Sequence, residues 1–123
     1  MKKKRILVVE DDPPSLAALK HILERHGLDV AAARSGEGAL LAIAAEKPDL
    51  VALDLKLAGS MSGYDVLERL KKDPAGAKLP VVIISNFGLQ QEVERGRAYG
   101  VADYLVKSDH SIHEIADRIA QFV

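Results

Sequence analysis

Three runs of consecutive apolar residues stand out along the chain, and each stops abruptly at a polar side chain. Ile6-Leu7-Val8-Val9 runs into Glu10-Asp11-Asp12, Leu50-Val51-Ala52-Leu53 into Asp54, and Val81-Val82-Ile83-Ile84 into Ser85-Asn86. Short runs without polar alternation fit strands buried on both faces, the pattern of a parallel sheet. Residues 30–33 form a weaker fourth run, and Asp103-Tyr104-Leu105-Val106 a fifth, closed by Lys107.

Helical spacing fills the intervals. Leu16, Leu19, Ile22 and Leu23 share one face, with Asp12 placed as cap, Pro13 at the first helical position and Gly27 as a left-handed stop. Ala39, Leu40, Ile43 and Ala44 predict a second helix ending before Pro48. Val66, Leu67 and Leu70 predict a third, closed near Asp73-Pro74. Residues 89–99 predict a poorer helix, interrupted by Gly96. Ser111 and Glu114 have capping-box spacing, with Ile112, Ile115, Ile119 and Phe122 on one face. Strand and helix thus alternate five times. That order predicts an α/β fold, an open parallel sheet with helices on both sides, because parallel crossovers are right-handed. Ligands of such sheets bind beyond the carboxyl ends of the strands.

Composition narrows the chemistry. The 123 residues suit one domain, residues 1–123, without linker or repeat. Seventeen basic and eighteen acidic residues leave a net charge of -1, which argues against a direct grip on nucleic acid or anionic membrane. The absence of cysteine excludes disulfides, thiolate zinc sites and thiol catalysis. No apolar run approaches the roughly 20 residues of a membrane span, and the four after Arg5 are too few for a secretory leader. A cytoplasmic protein is expected.

The polar residues ending the runs are Glu10, Asp11, Asp54, Ser85 and Lys107. Carboxylates about 4 Å apart repel by roughly 4 kcal/mol per pair at an effective dielectric near 20. Lys107 offsets part of that, and the remainder invites a hard divalent cation, Mg²⁺ rather than zinc. A metal, a lysine and a hydroxyl together suit a transferring phosphoryl group. Asp54, alone after the middle run, is the natural nucleophile. The acidic run leaves two pairings open: Glu10 with Asp11, leaving Asp12 as a cap, or Asp11 with Asp12.

Five stretches carry a family resemblance: Ile6-Leu7-Val8-Val9-Glu10-Asp11, Leu53-Asp54-Leu55, Met61-Ser62-Gly63-Tyr64, Val81-Val82-Ile83-Ile84-Ser85 and Ala102-Asp103-Tyr104-Leu105-Val106-Lys107. In this order and at these separations they resemble a response-regulator receiver domain of two-component signalling, chemotaxis-regulator-like, across essentially the whole chain. The resemblance implies a flavodoxin-like (βα)5 three-layer sandwich with strand order 2-1-3-4-5. It implies a phosphoacceptor switch in a phosphorelay, catalysing only its own phosphorylation and dephosphorylation. Asp54 would take phosphate from a phosphohistidine of a sensor histidine kinase or phosphotransfer protein. Asp11, Asp54 and the backbone carbonyl of Lys56 would bind Mg²⁺, with Glu10 acting through a water. Ser85 and Lys107 would hold the phosphoryl oxygens, and Tyr104 would turn inward as Ser85 moves. The output would be read by an effector protein or a homodimer partner on the face of the fourth helix, fifth strand and fifth helix. Glu92, Glu94, Arg95, Arg97, Asp109 and His110 offer polar contacts there.

The chain departs from the family pattern at three places. Ala58 stands where proline is usual, and Gly63 falls nine residues after Asp54 rather than eight, so the loop Ala58-Gly59-Ser60-Met61 carries one extra residue. Ser108 follows Lys107 where the family has a cis proline. Either a trans bond with a re-routed loop or a cis bond costing about 3 kcal/mol is expected. Asn86-Phe87 stands where smaller residues are usual, with Phe87 placed to cover the site or pack on Tyr104. His21, His26, His110 and His113 read as surface residues, and Lys2-Lys3-Lys4-Arg5 as a solvated flank. Two other functions compete. An aspartyl-phosphate hydrolase would place a second acid where Lys56 stands, and a degenerate receiver would only bind partners. The chain stops with its last helix, so it is expected either to signal by contact alone or to be the receiver portion of something longer.

Overall fold

The side chains of successive strand residues enter two different cores. In the computed structural model, which describes residues 3–86 and 88–123, Ile6 and Val8 join one apolar cluster while Leu7 and Val9 join the other. Leu50 and Ala52 divide from Val51 and Leu53 in the same way. This is why the runs show no polar alternation: both faces of the sheet are covered.

The elements are β1 (Arg5–Val9), α1 (Pro13–Arg25), β2 (Asp29–Ala33), α2 (Gly36–Ala45), β3 (Leu50–Asp54) and α3 (Gly63–Lys72). They continue with β4 (Val81–Ser85), α4 (Gln90–Arg97), β5 (Asp103–Val106) and α5 (Ile112–Ala120). All strand pairs are parallel, in the order β2-β1-β3-β4-β5. The expected flavodoxin-like three-layer sandwich is therefore the fold. Leu19 and Leu23 of α1 and Ile115 and Ile119 of α5 pack on one face. Val66, Leu67 and Leu70 of α3 pack on the other, with Ala39 of α2. Each fully buried side chain of this size contributes about 1.5–3 kcal/mol.

Local signals explain most boundaries. The Asp12 carboxylate accepts from the Ser15 backbone N–H, Pro13 opens α1, and Gly27 sits at φ 83 just past its end. Ser111 and Glu114 form the expected reciprocal cap. A second such box, Ser62 with Asp65, starts α3 and was not anticipated. Nor was the single helical turn Pro74–Ala77, capped by Asp73.

Three expectations change and one open alternative is resolved. The last helix ends at Ala120, leaving Phe122 beyond its apolar face and 40% exposed. Ala44 is exposed on α2 rather than part of its apolar face. Gly96 does not interrupt the fourth helix but lies inside it, buried. There is no cis peptide among the described residues, so the Lys107–Ser108 bond is trans, and the chain enters a 3-10 turn, Lys107–Asp109. Phe87 and Lys2 lie outside the described residues, and the expectations attached to them go with them.

Candidate functional site

Parallel strands deliver their last residues to one edge, and the register sets how close they come. Val9 pairs with Leu53, Asp54 with Ile84, and Ser85 with Val106. Glu10, Asp54, Ser85 and Lys107 therefore emerge side by side. Glu10 is anchored by its backbone N–H donating to the Ala33 carbonyl at 3.0 Å.

Glu10, Asp11 and Asp54 each bring a carboxylate oxygen within 4.8 Å of the others. Lys107 Nζ donates to Asp54 Oδ2 at 3.1 Å and to Glu10 Oε1 at 3.3 Å. The Lys56 backbone N–H donates to Asp54 Oδ1 at 3.1 Å, which fixes the carboxylate plane. Asp12 is exposed, its carboxylate is occupied as the α1 cap, and it is not part of that close group. The geometry thus groups Glu10 with Asp11, not Asp11 with Asp12. A hollow of about 330 Å³ above these residues is lined by Glu10, Asp11, Asp54, Lys56, Asn86 and Lys107, with Asp12 and Ser15 at its α1 side.

Burial shapes the charges. Glu10 and Asp54 are only 7% and 8% exposed. Desolvation, then hydrogen bonding to and repulsion from Asp54, raises the Glu10 carboxyl to about 8, against the opposing pull of Lys107. Burial lowers the Lys107 ammonium, but the Asp54 and Glu10 carboxylates outweigh it and the net shift is upward. A half-buried set of oxygen donors with excess negative charge fits a hard divalent cation, and it offers no nitrogen or sulfur ligand.

Ser85 is buried at the end of β4 and shares a side-chain hydrogen bond with Tyr104. The Tyr104 ring is already inside, 4% exposed. Space for it comes from Gly96, where a Cβ would lie 2.6 Å from Cδ2 and Cε2 of the ring. Gly63 has a similar role below Asp54. Its N–H donates to the Leu55 carbonyl at 2.8 Å, and a Cβ there would meet the Asp54 carbonyl oxygen at 2.5 Å. The sequence marks Gly96 only as a helix breaker and Gly63 only by its distance from Asp54, because close backbone approach has no spacing signature. The longer loop after Asp54 leans on the start of α2, where Ser60 Oγ donates to Glu37 Oε1 at 3.4 Å.

Contacts around α4 and α5 also revise expectations. Glu92 and Arg95, expected to offer polar contacts on the output face, also meet Tyr64 of α3. Asp103, which the sequence marks only as the start of the fifth run, is a buried carboxylate held by Arg118 at 2.7 Å, with Arg97 at 3.8 Å. His26 pairs with Asp117 across α1 and α5, and His110 with Glu114, so neither joins the acidic cluster. No helix among the described residues is long and apolar enough to cross a membrane.

The five-stranded parallel sandwich, in the order 2-1-3-4-5, is the fold of the solved structures this chain matches. The model for the response regulator receiver domain matches residues 6–120. PilH of Pseudomonas aeruginosa is 33% identical over 103 residues, covering 84% of each chain. The gliding motility regulatory protein of Myxococcus xanthus is 30% identical over 118 residues, 96% of this chain but 15% of that protein. MtrA of Mycolicibacterium smegmatis, a DNA-binding response regulator, is 38% identical over 85% of this chain and 44% of its own length. Among solved structures, a putative response regulator of Chloroflexus aurantiacus superposes with a TM-score of 0.89 at 30% identity, covering 98% of both chains. The non-phosphorylated HemR receiver domain of Leptospira biflexa gives 0.86 at 31% identity, over 98% of this chain and 94% of that one. The chain belongs to the response regulator receiver domain family, whose members are signalling switches.

Proposed function

We propose that this chain is a Mg²⁺-dependent phosphoacceptor switch, with Asp54 as the acceptor. The single observation that carries the reading is the placement of Asp54. It is buried at the end of the central strand, within reach of two further carboxylates, and its two oxygens are held separately by Lys56 N–H and Lys107 Nζ.

In this reading an Asp54 carboxylate oxygen attacks the phosphorus of a phosphohistidine on a sensor histidine kinase or phosphotransfer protein. The P–N bond breaks and an acyl phosphate forms. Glu10, Asp11, Asp54 and the Lys56 carbonyl are the groups to hold Mg²⁺, with Glu10 acting through water. The metal would supply charge neutralisation for the phosphoryl oxygens. Lys107 then exchanges its contact with the carboxylate for one with the phosphoryl group, and the Ser85 hydroxyl turns toward it. Because Ser85 is hydrogen-bonded to Tyr104 and Tyr104 rests on Gly96, that exchange biases the position of α4. The α4-β5-α5 face is where an effector protein or a second copy reads the change. Lys56, standing where a hydrolase would place its second acid, supports a switch over an enzyme with a free substrate.

Incubation with acetyl phosphate and Mg²⁺ tests the reading by intact mass. One added phosphoryl group, lost with EDTA and in Asp54→Asn, is expected. Absence of any adduct in the presence of Mg²⁺ refutes it.

A further inference from the structure

Helix α4 is held by few contacts, among them Val93 packed partly buried on the core and Arg97 standing 3.8 Å from the buried Asp103. Leu89 provides no side-chain cap, and Gly96 is its one buried residue. Two tyrosines hold it laterally. Tyr104 of β5 fills the space over Gly96. From the other side, Tyr64, at the start of α3, donates its hydroxyl to Glu92 Oε2 at 3.1 Å. The Arg95 guanidinium carbon stands 3.8 Å from the centroid of the same ring. Tyr99, just past the helix, packs against Tyr64 at 5.8 Å between centroids and donates to Glu68 Oε1 at 3.2 Å. Glu92, Arg95 and Gly96 fall within about one helical turn, so the two tyrosines grip the same segment.

Tyr64 is tied to the acidic site by its neighbour. Gly63 donates to the Leu55 carbonyl and lies against the Asp54 backbone. The backbone that carries Asp54 therefore connects to α4 by two separate routes. One passes through Ser85 and Tyr104, the other through Gly63 and Tyr64.

We propose that Tyr64, Glu92 and Arg95 form a latch that holds α4 against α3 while Asp54 is unmodified, and that opening this latch is part of switching. The proposal rests on the phosphoacceptor reading. A hydroxyl donating to a carboxylate is stronger than a neutral pair, and a guanidinium over an aromatic face adds a modest attraction. Both are small enough to open thermally and large enough to bias two positions of a loosely held helix. Whatever the latch contributes to the resting state opposes binding of a phosphoryl group at Asp54, by linkage. Tyr64 and Arg95 are thus positioning residues, and they touch no reacting atom.

The test combines amide hydrogen exchange with beryllofluoride titration in Mg²⁺, on the full chain and on Tyr64→Phe and Arg95→Ala. Tyr64→Phe keeps the ring and removes only the hydroxyl. Exchange across Gln90–Arg97 is expected to rise about three- to tenfold in each variant, with β1 and β3 unchanged, and beryllofluoride affinity to rise about threefold. A purely structural role would leave that affinity unchanged or weaken it. Unaltered exchange in α4, or faster exchange without tighter beryllofluoride binding, overturns the latch. If the unsubstituted chain fails to bind beryllofluoride, the phosphoacceptor reading falls and the latch with it. Binding by the unsubstituted chain with no gain in the variants removes the latch alone.

Discussion

The backbone of Gly96 lies directly on the ring of Tyr104, so close that a Cβ would stand 2.6 Å from two ring carbons. Alanine is worth about 1 kcal/mol more than glycine inside a helix, which favours Gly96→Ala in isolation. Here the ring is buried and Ile83 Cδ1 stands 3.1 Å from the same point, so α4 or the ring must move. Overpacking of this kind costs about 1–3 kcal/mol. Gly96→Ala is expected to lower the urea midpoint, and Tyr104→Ala in the same chain to abolish or reverse that loss. A stabilised single variant would show that the helix is free of the ring.

Glu10 makes stability depend on pH. Burial, then hydrogen bonding to and repulsion from Asp54, raises its carboxyl from an ordinary 4.5 to about 8. Between these values the native metal-free protein holds a proton that the unfolded chain has released, so stability falls as pH rises through the interval. The upward shift of Lys107 acts only above the ordinary lysine value of 10.5. The lowered carboxyls of the caps Asp12 and Glu114 act only below the interval. Urea unfolding in EDTA is expected to show decreasing stability from about pH 4.5 to about pH 8. Glu10→Gln removes the decline, and saturating Mg²⁺ flattens it. A flat profile for the unsubstituted chain in EDTA contradicts the assignment.

Lys107 is the cation that neutralises Asp54 and Glu10 from within the chain, at 3.1 and 3.3 Å. Removing it leaves the carboxylates to a metal alone. Lys107→Ala is expected to tighten Mg²⁺ binding by about tenfold or more, since a unit charge about 4 Å away is worth about 1 kcal/mol even at the dielectric of water and more near a protein surface. Beryllofluoride binding is expected to weaken, since the ammonium then fails to meet its oxygens. Titration calorimetry reads both. Weaker Mg²⁺ binding in this variant would mean that Lys107 supports the metal rather than competing with it.

How legible the molecule was depended on whether a feature repeats along the chain. The strands and their order of delivery were legible because a doubly covered sheet leaves uninterrupted apolar runs ending in polar residues. The site residues are the first polar side chains after those runs. Phe122 was misplaced because apolar spacing continues past Ala120, while nothing in the spacing marks where the helix stops. Gly96 read as a helix breaker because its reason, the Tyr104 ring, lies in another element. The contacts of Tyr64 with Glu92 and Arg95 cross 28 and 31 positions of sequence between two helices, and such pairs leave no local pattern. Ser62 with Asp65 was visible in principle, having the same three-residue offset as Ser111 with Glu114.

The central claim, that Asp54 is the residue that accepts the phosphoryl group, is tested most directly by locating the modification. Borohydride reduces an aspartyl phosphate to homoserine and leaves free carboxylates untouched. After reaction with acetyl phosphate and Mg²⁺, borohydride treatment and peptide mass mapping, homoserine is expected at position 54 and at no other acidic position. Conversion at Glu10 or Asp11 instead, or unmodified Asp54 in a chain that carries the added phosphoryl mass, would contradict the account.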